Sequence, residues 1–445
     1  MKKKVSSSRV LFGRGYNSGY DSGFSQGYTA GWNEGIESWS RPFEGTSIVI
    51  PTYNQKELLK QCIESIEAYT PEPHETIIID NGSQDGTLEY LQSLRGKIRF
   101  KRSETNLGFA RGMNQGLMMA RGSTILLLNN DTVVTRHWLR NLLFCLHGFP
   151  KVGLVGPVTN YISGGQQIET SYQSLEEMHA FSSAYNQSDP AAWRSTGRMT
   201  GFCVLMTRDT FTRLGYFDEG FEIGNCEDDD YSLRARMLGL ELVIAGDTFI
   251  HHVGSASMKA LGDRMDTVYG RNLAYFSEKW GETRTVLDMA GGTGNENPSY
   301  RMTDFYPTHV LVKGAGPEIY WIENGSKHPV IGAAEAQAVR LSQTDLRNWP
   351  LGSSIQEEER ASKAESLASI PSPYGPLAEG VLVNAPDGKT YQSDRGRLRP
   401  LTGSRALSAW QIDSRSIYPI TEEVEALYPK GLPIIAPIVL QSGNL

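Results

Sequence analysis

The sequence predicts an α/β fold, a doubly wound parallel sheet, followed by two small β-rich modules. Strands and helices alternate from Thr46 onward, as in a parallel sheet covered by helices on both faces. Polar residues follow several apolar runs, at the edge where the strands of such a sheet end and ligands bind. Past residue 305 the chain repeats itself at an offset of 71 residues, which indicates two copies of one unit.

The N-terminal 44 residues form a leader of a different character. The stretch "GYNSGYDSGFSQGYTAGWNEGI" has a glycine at every fourth position from Gly15 to Gly35, each followed by an aromatic residue or, last, by Ile36. Glycine at this spacing permits close helix packing, yet each glycine weakens an isolated helix by about 1 kcal/mol. Two hypotheses stay open, a loosely helical or flexible leader and a self-association element.

The α/β region begins with "TSIVIPTYN", a β-branched strand closed by Pro51. The next segment, "QKELLKQCIESIEAY", has apolar residues at helical spacing. "ETIIIDNGSQDGT" predicts the second strand and its turn, "LEYLQSL" the second helix, and "IRFKR" the third strand. A glycine-containing loop and a third helix follow, and "STILLLNND" is the fourth strand. We therefore expect the polar ends of these strands to meet at one edge of the sheet.

The repeat begins after a glycine- and asparagine-rich linker. Residues 310–332 match residues 381–403 without a gap, and each copy predicts short strands around a turn, then a small helix ending in "NWPLG" or "LYPKG". The modules have no clustered acids or histidines, which favours binding or assembly units. The predicted division is leader 1–44, α/β domain 45–288, linker 289–305, first module 306–356, charged helix or linker 357–376, and second module 377–445.

The composition is that of an ordinary soluble protein, with 39% hydrophobic residues, 21% charged residues and a net charge of −7. This balance provides no overall attraction to nucleic acid or acidic membranes. Four widely spaced cysteines form no CxxC pair, which argues against structural zinc and a disulfide framework and favours a reducing cytoplasm. No apolar run reaches the roughly 18 residues of a membrane helix, so we expect a cytoplasmic protein, at most peripheral on the membrane.

Two strand ends could hold a nucleoside. In "PTYN" the backbone and the ring of Tyr53 could hold a base, although the motif is also a common turn. Asp80 could accept a hydrogen bond from the imide of uracil or thymine, and Asn81 or Asp85 could reach the ribose. Alternatively, Asp80 caps the next helix and "NG" and "DG" turn the chain. The residues themselves leave both interpretations open.

Two further clusters carry acids or histidines. Asp131, at the end of "ILLLNND", could join a divalent cation bound to the phosphates of a sugar nucleotide. Four consecutive acids, 227–230, precede a helix, where the helix dipole stabilises them by about 0.3–1 kcal/mol. One of these carboxylates could act as a general base. Of His251 and His252, only one can face this edge, because side chains alternate along a strand.

Taken together and in order, these motifs resemble the family 2 glycosyltransferases, over about residues 45–285, and among them the rhamnosyltransferase-like branch. The resemblance rests on "TSIVIPTYN", "ETIIIDNGSQDGT", "NLGFARGMNQGL", "ILLLNNDTVV", "TGFCVLMTRDTF", "CEDDDYSLRARMLG" and "HHVGSAS". It implies a GT-A fold with a Rossmann-like mixed sheet, a nucleotide-sugar donor, a divalent metal (Mn²⁺ or Mg²⁺) and inversion at the anomeric carbon.

The resemblance also implies a role for individual positions. Asp228 is the best candidate for the catalytic base, with Glu227 second, and Asp131 and His252 are the candidate metal ligands. Gly201 and Phe202 match the family's small-residue turn on the acceptor side, and the ring of Trp193 could stack on the acceptor sugar there. The candidates for the donor side are Pro51, Tyr53, Asp80, Asn81, Asp85, Asn106, Gly108, Asn114 and Asn130.

The predicted function is therefore transfer of rhamnose or another hexose from a UDP- or dTDP-sugar to a hydroxyl of a glycan, glycolipid or glycoprotein. A nucleotidyltransferase is disfavoured, because "PTYNQKEL" is not a basic, glycine-rich phosphate loop. The alternative is a weak or inactive glycosyltransferase-like scaffold whose repeats bind a cell-surface polymer or a partner. The expected partners are the sugar nucleotide and a glycan or lipid-linked acceptor, with self-association through the leader or the C-terminal modules.

Overall fold

The computed structural model describes residues 42–149, 151–254, 264–291, 299–332, 337–367, 376–443 and 445. Nearly all of the glycine–aromatic leader, and residues 292–298 of the predicted first linker, lie outside these ranges. Within them, no helix is both long and apolar enough to cross a membrane.

Up to residue 291 the described chain contains ten strands interspersed with nine α-helices. The strands are β1 (Phe43–Thr52), β2 (His74–Asp80), β3 (Arg99–Arg102), β4 (Gly122–Leu128), β5 (Thr132–Val133), β6 (Val152–Val158), β7 (Trp193–Thr196), β8 (Cys203–Thr207), β9 (Glu241–Phe249) and β10 (His251–His252). The helices are α1 (Lys56–Tyr69), α2 (Thr87–Ser93), α3 (Phe109–Met119), α4 (Trp138–Gly148), α5 (Leu175–Tyr185), α6 (Arg208–Leu214), α7 (Glu227–Met237), α8 (Arg264–Trp280) and α9 (Thr283–Gly291).

Eight of these strands form one mixed sheet in the order β3-β2-β1-β4-β8-β6-β9-β7. The first four strands are mutually parallel, as the alternation predicts. The sheet as a whole is not parallel, because β8 runs antiparallel to both β4 and β6, and β7 runs antiparallel to β9. The mixed α/β sheet implied by the resemblance is therefore the correct description.

The central strands are apolar along their length because helices cover both faces of the sheet. On β1, Val49 packs on one side with residues of α3, while Ile48 and Ile50 pack on the other with residues of α1. Gly116 of α3 lets the helix approach closely, since a Cβ there would overlap the Val49 side chain. This packing fixes the strand ends that carry the polar residues.

The C-terminal region forms two further sheets, of five and four strands. The first contains β11 (Val310–Lys313), β12 (Ile319–Glu323), β13 (Ser326–Ile331), β14 (Val339–Arg340) and β15 (Ile355–Gln356). The second contains β16 (Leu382–Asn384), β17 (Thr390–Asp394), β18 (Arg397–Pro400) and β19 (Ile417–Pro419). The remaining helices are α10 (Gln343–Asn348), α11 (Glu357–Ser366), α12 (Ala406–Ala409) and α13 (Glu422–Ala426).

The two copies of the sequence repeat pair their strands in the same register. Tyr320 lies opposite Pro329 in the first copy, and Tyr391 lies opposite Pro400 in the second. A two-residue turn closes the hairpin in both, at 324–325 and 395–396, and all four turn residues have positive φ. Each hairpin is therefore the same structural unit, as the repeat predicts.

The last residues of the chain bind back to the α/β domain. The buried Glu219 carboxylate accepts hydrogen bonds from the backbone N–H groups of Gln441 and Ser442, at 2.6 and 2.8 Å, and from the Ser442 hydroxyl at 2.8 Å. Asn114 of α3 donates to the same carboxylate at 3.0 Å. The chain terminus and α3 are thus joined through one buried acid.

A buried charge network lies beside this junction. The Lys279 ammonium is 2.6 Å from a carboxylate oxygen of Asp218 and 2.6 Å from one of Asp230, and all three side chains are at most 1% exposed. Arg234 binds the other oxygen of Asp230 at 2.8 Å. Burial alone would raise the pKa of Asp230, but the charges of Lys279 and Arg234 outweigh it and lower that pKa. The network joins α7, α8 and the loop before α7.

Replacing Lys279→Met should destabilise the fold by about 3–5 kcal/mol, because it leaves two buried carboxylates short of a countercharge. Urea unfolding followed by circular dichroism measures this loss. The matched control is Lys60→Met, which removes an exposed pair with Glu64 at 3.9 Å and should change stability by less than about 0.5 kcal/mol. Equal stability of the two variants would contradict a structural role for Lys279.

Candidate active site

A cavity of about 650 Å³ opens at the carboxyl ends of β1, β2 and β4. This is the edge at which parallel α/β sheets bind ligands. The predicted site residues that line it are Pro51, Tyr53, Asn81, Asn106, Gly108, Asn130, Asp131, Gly201, Phe202, Glu227, Asp228 and His252. The structure thus brings together most of the predicted donor-side, metal and catalytic residues.

The end of β1 forms one wall of the cavity. Tyr53 is 39% exposed there, and Asn54 and Gln55 both have positive φ, a conformation that is uncommon for residues other than glycine. Asn81, which follows β2, is buried and donates to the carbonyl of Gly108 at 3.1 Å. Its own amide oxygen is buried and accepts no hydrogen bond from the described protein atoms. Asn81 therefore holds the loop at Gly108 against the end of β2.

A second wall forms where the loop before α3 meets the loop before α7. Asn106 accepts a hydrogen bond from the Gly108 N–H at 2.9 Å, and the Phe109 N–H donates to the carbonyl of Ile223 at 2.6 Å. A Cβ on Gly108, whose φ is +81°, would lie 3.1 Å from the Ile223 backbone. Glycine is therefore required for this close approach.

The turn after β4 carries the acid predicted to bind metal. Asn130 donates to the Thr52 hydroxyl at 2.9 Å, which joins the ends of β4 and β1. The short strands β5 and β10 pair so that His252 lies opposite Thr132. This places His252 Nε2 3.1 Å from Asp131 Oδ1. His251 faces the other way and contacts the Tyr172 hydroxyl at 2.6 Å, so the choice between the two histidines falls on His252.

The Asp131–His252 pair fits a divalent cation. His252 Nδ1 lies 2.7 Å from the carbonyl oxygen of Tyr161, which can only accept, so Nδ1 carries a proton. In a neutral imidazole Nε2 then presents its lone pair to the same space as the Asp131 carboxylate, the arrangement in which a protein carbonyl orients a metal-binding histidine. The ring of Phe202 stacks on the imidazole at 5.5 Å. In the described ranges no group of three His, Cys, Asp or Glu side chains converges, so ligand oxygens would have to complete the coordination.

The acids of α7 divide between the cavity and the core. Asp228 Oδ2 accepts from the Gly201 N–H at 3.2 Å and lies 3.5 Å from Arg198. Asp229 pairs with the same arginine, outside the cavity. Asp230 belongs to the buried network described above. Because successive helix residues are rotated by about 100°, neighbouring acids point in different directions.

The two cavity acids have different protonation behaviour. Burial, together with the charge of Asp228, raises the pKa of Glu227 to about 8, and one of its oxygens is buried without a hydrogen-bond partner in the described protein. Burial and the charge of Asp229 also raise the pKa of Asp228, but Arg198 and the Gly201 N–H favour its ionised form. Near neutral pH, Glu227 therefore retains a proton, and Asp228 is the better proton acceptor.

Four predicted site residues do not line the cavity. Asp80 is fully buried beneath it, where it accepts from the Ser83 N–H at 2.8 Å. Asp85 accepts from the Lys56 N–H at 2.8 Å at the start of α1. Asn114 lies in the core and binds Glu219. Trp193 packs against Phe144 and Phe149 and donates to Asp247 at 3.0 Å. The ring of Trp193 thus packs on the outer strand β7, away from the residues that line the cavity.

The sequence analysis missed several cavity residues. Arg198 contacts the candidate base, Tyr161 orients His252, and Gln166 accepts a hydrogen bond from the Thr200 N–H at 2.9 Å beside the cavity. Arg198 and Tyr161 line the cavity themselves. These residues belong to no motif and come from loops whose positions depend on tertiary pairing. Ile223, Asn225 and Cys226, in the loop before α7, all have positive φ. Their residue types do not predict this conformation.

Comparison with known proteins identifies the class. Residues 47–214 match the family model described as glycosyl transferase family 2. The chain thus contains a glycosyl transferase family 2 region, which runs from within β1 to the end of α6. The match ends before α7, so the candidate catalytic base lies beyond it.

Two known proteins are similar to parts of this chain. The chain is 38% identical over 93 residues to the uncharacterized glycosyltransferase YfnE of Bacillus subtilis, covering 20% of this chain and 24% of that protein. It is 29% identical over 238 residues to the O-antigen biosynthesis protein RfbC of Myxococcus xanthus, covering 49% of this chain and 18% of that protein. The matched regions are thus a quarter or less of the length of these two relatives.

Among solved structures, the chain is similar to that of GalNAc-T7 with UDP, GalNAc and Mn²⁺. The TM-score is 0.41 and the sequence identity 16%, with 56% of this chain and 51% of that chain covered.

The raised pKa of Glu227 predicts a pH-dependent gain in stability for Glu227→Gln. The folded protein binds this proton up to a pH of about 8, whereas an unfolded glutamate releases it near its ordinary pKa of roughly 4.3. The contribution of Glu227 to the free energy of unfolding of the wild type therefore falls as the pH rises between these two values. Without ligand, the variant should be about 1–3 kcal/mol more stable than wild type at pH 8, and the gain should shrink toward pH 5.

Thermal and urea unfolding across this pH range measure the effect. Glu222→Gln is the matched control, since its side chain is half exposed and pairs with Arg271 on the surface. A difference between Glu227→Gln and wild type that does not vary with pH would contradict the raised pKa.

Proposed function

We propose that the protein is an inverting, divalent-metal-dependent glycosyltransferase that moves rhamnose or another hexose from a UDP- or dTDP-sugar to a hydroxyl of a glycan, glycolipid or glycoprotein. One observation carries this proposal. A single cavity brings a proton acceptor, Asp228, together with an acid–imidazole pair, Asp131 and His252, suited to a cation. A transfer of this type needs the proton acceptor beside the attacking hydroxyl and the cation beside the leaving diphosphate, on opposite sides of the anomeric carbon.

The donor nucleotide is proposed to lie along the ends of β1 and β2. Tyr53 supplies an exposed ring for the base, and Pro51 and Asn81 line the cavity at the same strand ends. Asn106, Gly108 and Asn130 shape the floor through the hydrogen bonds described above. Asp80 and Asp85 stabilise the loops that form this part of the cavity. The Asp80 carboxylate binds the turn after β2, and the Asp85 carboxylate binds the start of α1.

The diphosphate is proposed to lie at Asp131 and His252. Asp131 and His252 would hold a divalent cation there, Mn²⁺ or Mg²⁺, and when bound it would neutralise charge on the leaving nucleoside diphosphate. The Tyr161 carbonyl and the Phe202 ring fix the imidazole in the required orientation. Without these two contacts, His252 would have to be ordered each time the donor binds.

Asp228 is the proposed base. It accepts the proton of the acceptor hydroxyl while that oxygen bonds to the anomeric carbon, and the bond from the anomeric carbon to the diphosphate oxygen breaks in the same displacement. The electron pair leaves with the nucleoside diphosphate, and the configuration inverts. Gly201 is suited to the acceptor side because its N–H binds Asp228 and the space beside it is free of a Cβ. Arg198 keeps Asp228 ionised before proton transfer.

The acceptor is proposed to be a hydroxyl on a glycan or lipid-linked saccharide, as in polysaccharide or cell-wall assembly. The relative named as an O-antigen biosynthesis protein supports a polysaccharide context. All four cysteines are buried and unpaired, which supports a reducing compartment such as the cytoplasm. A lipid-linked acceptor would then be reached from the inner face of the plasma membrane.

Asp228→Asn should reduce sugar transfer by about 10²–10⁴-fold, because the amide cannot accept the hydroxyl proton. Nucleotide affinity should change less than threefold, since Asp228 lies on the acceptor side. Product formation from a radiolabelled sugar nucleotide and calorimetric UDP or dTDP titration measure the two properties. Asp229→Asn is the matched control and should retain most activity. Loss of nucleotide binding together with activity would contradict the base assignment.

Thermal unfolding against nucleotides, with and without Mn²⁺, tests the donor site. A ligand that binds the native state raises the melting temperature by mass action. We expect a metal-dependent rise with UDP or dTDP, none with ATP, and loss of the metal-dependent part in Asp131→Asn. Asp209→Asn, an exposed acid on α6, is the control and should behave as wild type. No rise with any nucleotide would favour the scaffold hypothesis.

A further inference from the structure

A second cavity, of about 770 Å³, lies between the two repeat modules, far in sequence from the candidate active site. Its charged lining residues are four arginines and two aspartates, listed in chain order as Arg301, Asp304, Asp394, Arg395, Arg397 and Arg399. The excess of arginine indicates a binding site for an anion, since guanidinium groups match the geometry of phosphate and carboxylate oxygens.

Both aspartates are already engaged by the protein. Asp394 pairs with Arg399 at 2.7 Å, and Asp304 accepts from the backbone N–H of Arg301 at 2.9 Å. Arg399 also donates to the carbonyls of Tyr306 and Leu432, at 3.0 Å each, and is buried. Arg399 thus has a structural role. The other three arginines outnumber the remaining carboxylate, Asp304, so the cavity keeps a net positive charge.

These three arginines keep most of their donors available. Arg301 and Arg397 each donate to a single carbonyl, at 3.5 and 3.3 Å, and Arg395 approaches Asp394 only to 3.8 Å. All three are exposed. A guanidinium has five N–H donors, so each can still form paired hydrogen bonds to an oxyanion in the cavity.

The repeat supplies an internal comparison. At an offset of 71 residues, Arg395, Arg397 and Arg399 correspond to Asn324, Ser326 and His328 of the first module. Arg397 and Arg399 are two apart on β18 and share a face of that strand, and Arg395 lies in the turn just before it. This end of the second hairpin is therefore arginine-rich, and its counterpart in the first module is not. The arginines are therefore not a requirement of the hairpin fold.

Arg395 is also in an unfavourable backbone conformation. Its φ of 51° matches that of Asn324, 52°, in the equivalent turn, but asparagine adopts this conformation readily and arginine does not. The Arg395 guanidinium lies against Gly325 of the first module, in space that a Cβ would fill. Strain of this kind is found where a side chain serves a function.

We propose that this cavity binds an oxyanion group, phosphate or carboxylate, carried on a saccharide chain. The cavity is within the 300–1,000 Å³ of typical ligand sites and is far larger than one phosphate requires, and Tyr300 and Trp349 add ring surface to its wall. The saccharide as carrier rests on the proposed function, whereas the oxyanion recognition rests on the arginines alone. The second module would then hold an acidic polymer while the α/β domain acts on a sugar hydroxyl.

Isothermal titration of the full chain with three probes tests the proposal: trigalacturonate, inorganic phosphate and neutral maltotriose. We expect trigalacturonate to bind more tightly than phosphate, with an affinity that falls as salt rises, and maltotriose not to bind. Arg395→Asn and Arg397→Ser, which install the first module's residues, should each weaken trigalacturonate binding by about tenfold. The control Lys389→Ser removes an exposed charge from the same module outside the cavity and should leave binding unchanged.

Several outcomes would overturn the proposal. If neither anion binds, or if Lys389→Ser weakens binding as much as Arg395→Asn, the cavity is not an oxyanion site. Equal binding of phosphate and trigalacturonate would remove the saccharide as carrier, and equal binding of maltotriose would remove the role of charge. Neither arginine variant should melt at a lower temperature than the wild type, and both should keep the wild-type shift with UDP or dTDP, so failure here is distinguishable from failure of the transferase proposal.

Discussion

The buried Lys279 ammonium, between the carboxylates of Asp218 and Asp230, is the interaction on which the rest of the structure depends. Burying one charge in a protein costs several kcal/mol unless partners surround it, and here each member of the network is the partner of another. The three residues lie on α8, on the loop before α7, and on α7 itself. Their arrangement therefore fixes the helix that presents Asp228 to the cavity.

The same network extends to the C-terminal residues. The carboxylate of Asp218 accepts from the Val439 N–H at 3.0 Å, and the neighbouring Glu219 binds the backbone of 441 and 442. One apolar core cluster also spans the α/β domain and both modules, with Val49, Trp280, Val310 and Trp410 among its members. The modules are thus packed against the α/β domain, and the geometry of the acid-bearing loop depends on residues more than two hundred positions away.

Local patterns predicted those parts of the fold and site that depend on the neighbouring sequence. The apolar runs of β1, β2 and β4 and the acid after β4 are visible because a strand end places its next residues at a known edge. The 71-residue repeat likewise indicated equivalent hairpins, and the register of both confirms it. The antiparallel direction of β8 was beyond these patterns, because periodicity does not encode the direction of a strand.

Residue roles were harder to predict where tertiary pairing decides them. Asn114 and Trp193 have the residue types of a binding site, but their hydrogen bonds are to Glu219 and Asp247, which no local pattern connects to them. The choice of His252 over His251 required the pairing of β10 with β5. Arg198 has no motif, and its importance follows only from its distance to Asp228.

The four acids at the start of α7 show why such roles separate in the folded chain. These four acidic side chains are adjacent in sequence but lie in three environments. Glu227 and Asp228 line the cavity, Asp229 pairs with a surface arginine, and Asp230 binds two buried cations. Burial raises the pKa of Glu227 and Asp228, whereas Lys279 and Arg234 lower that of Asp230. Because the ionised Asp230 holds α7 in place, Asp228, two residues earlier, is held at the cavity, where its proposed role as the base requires it.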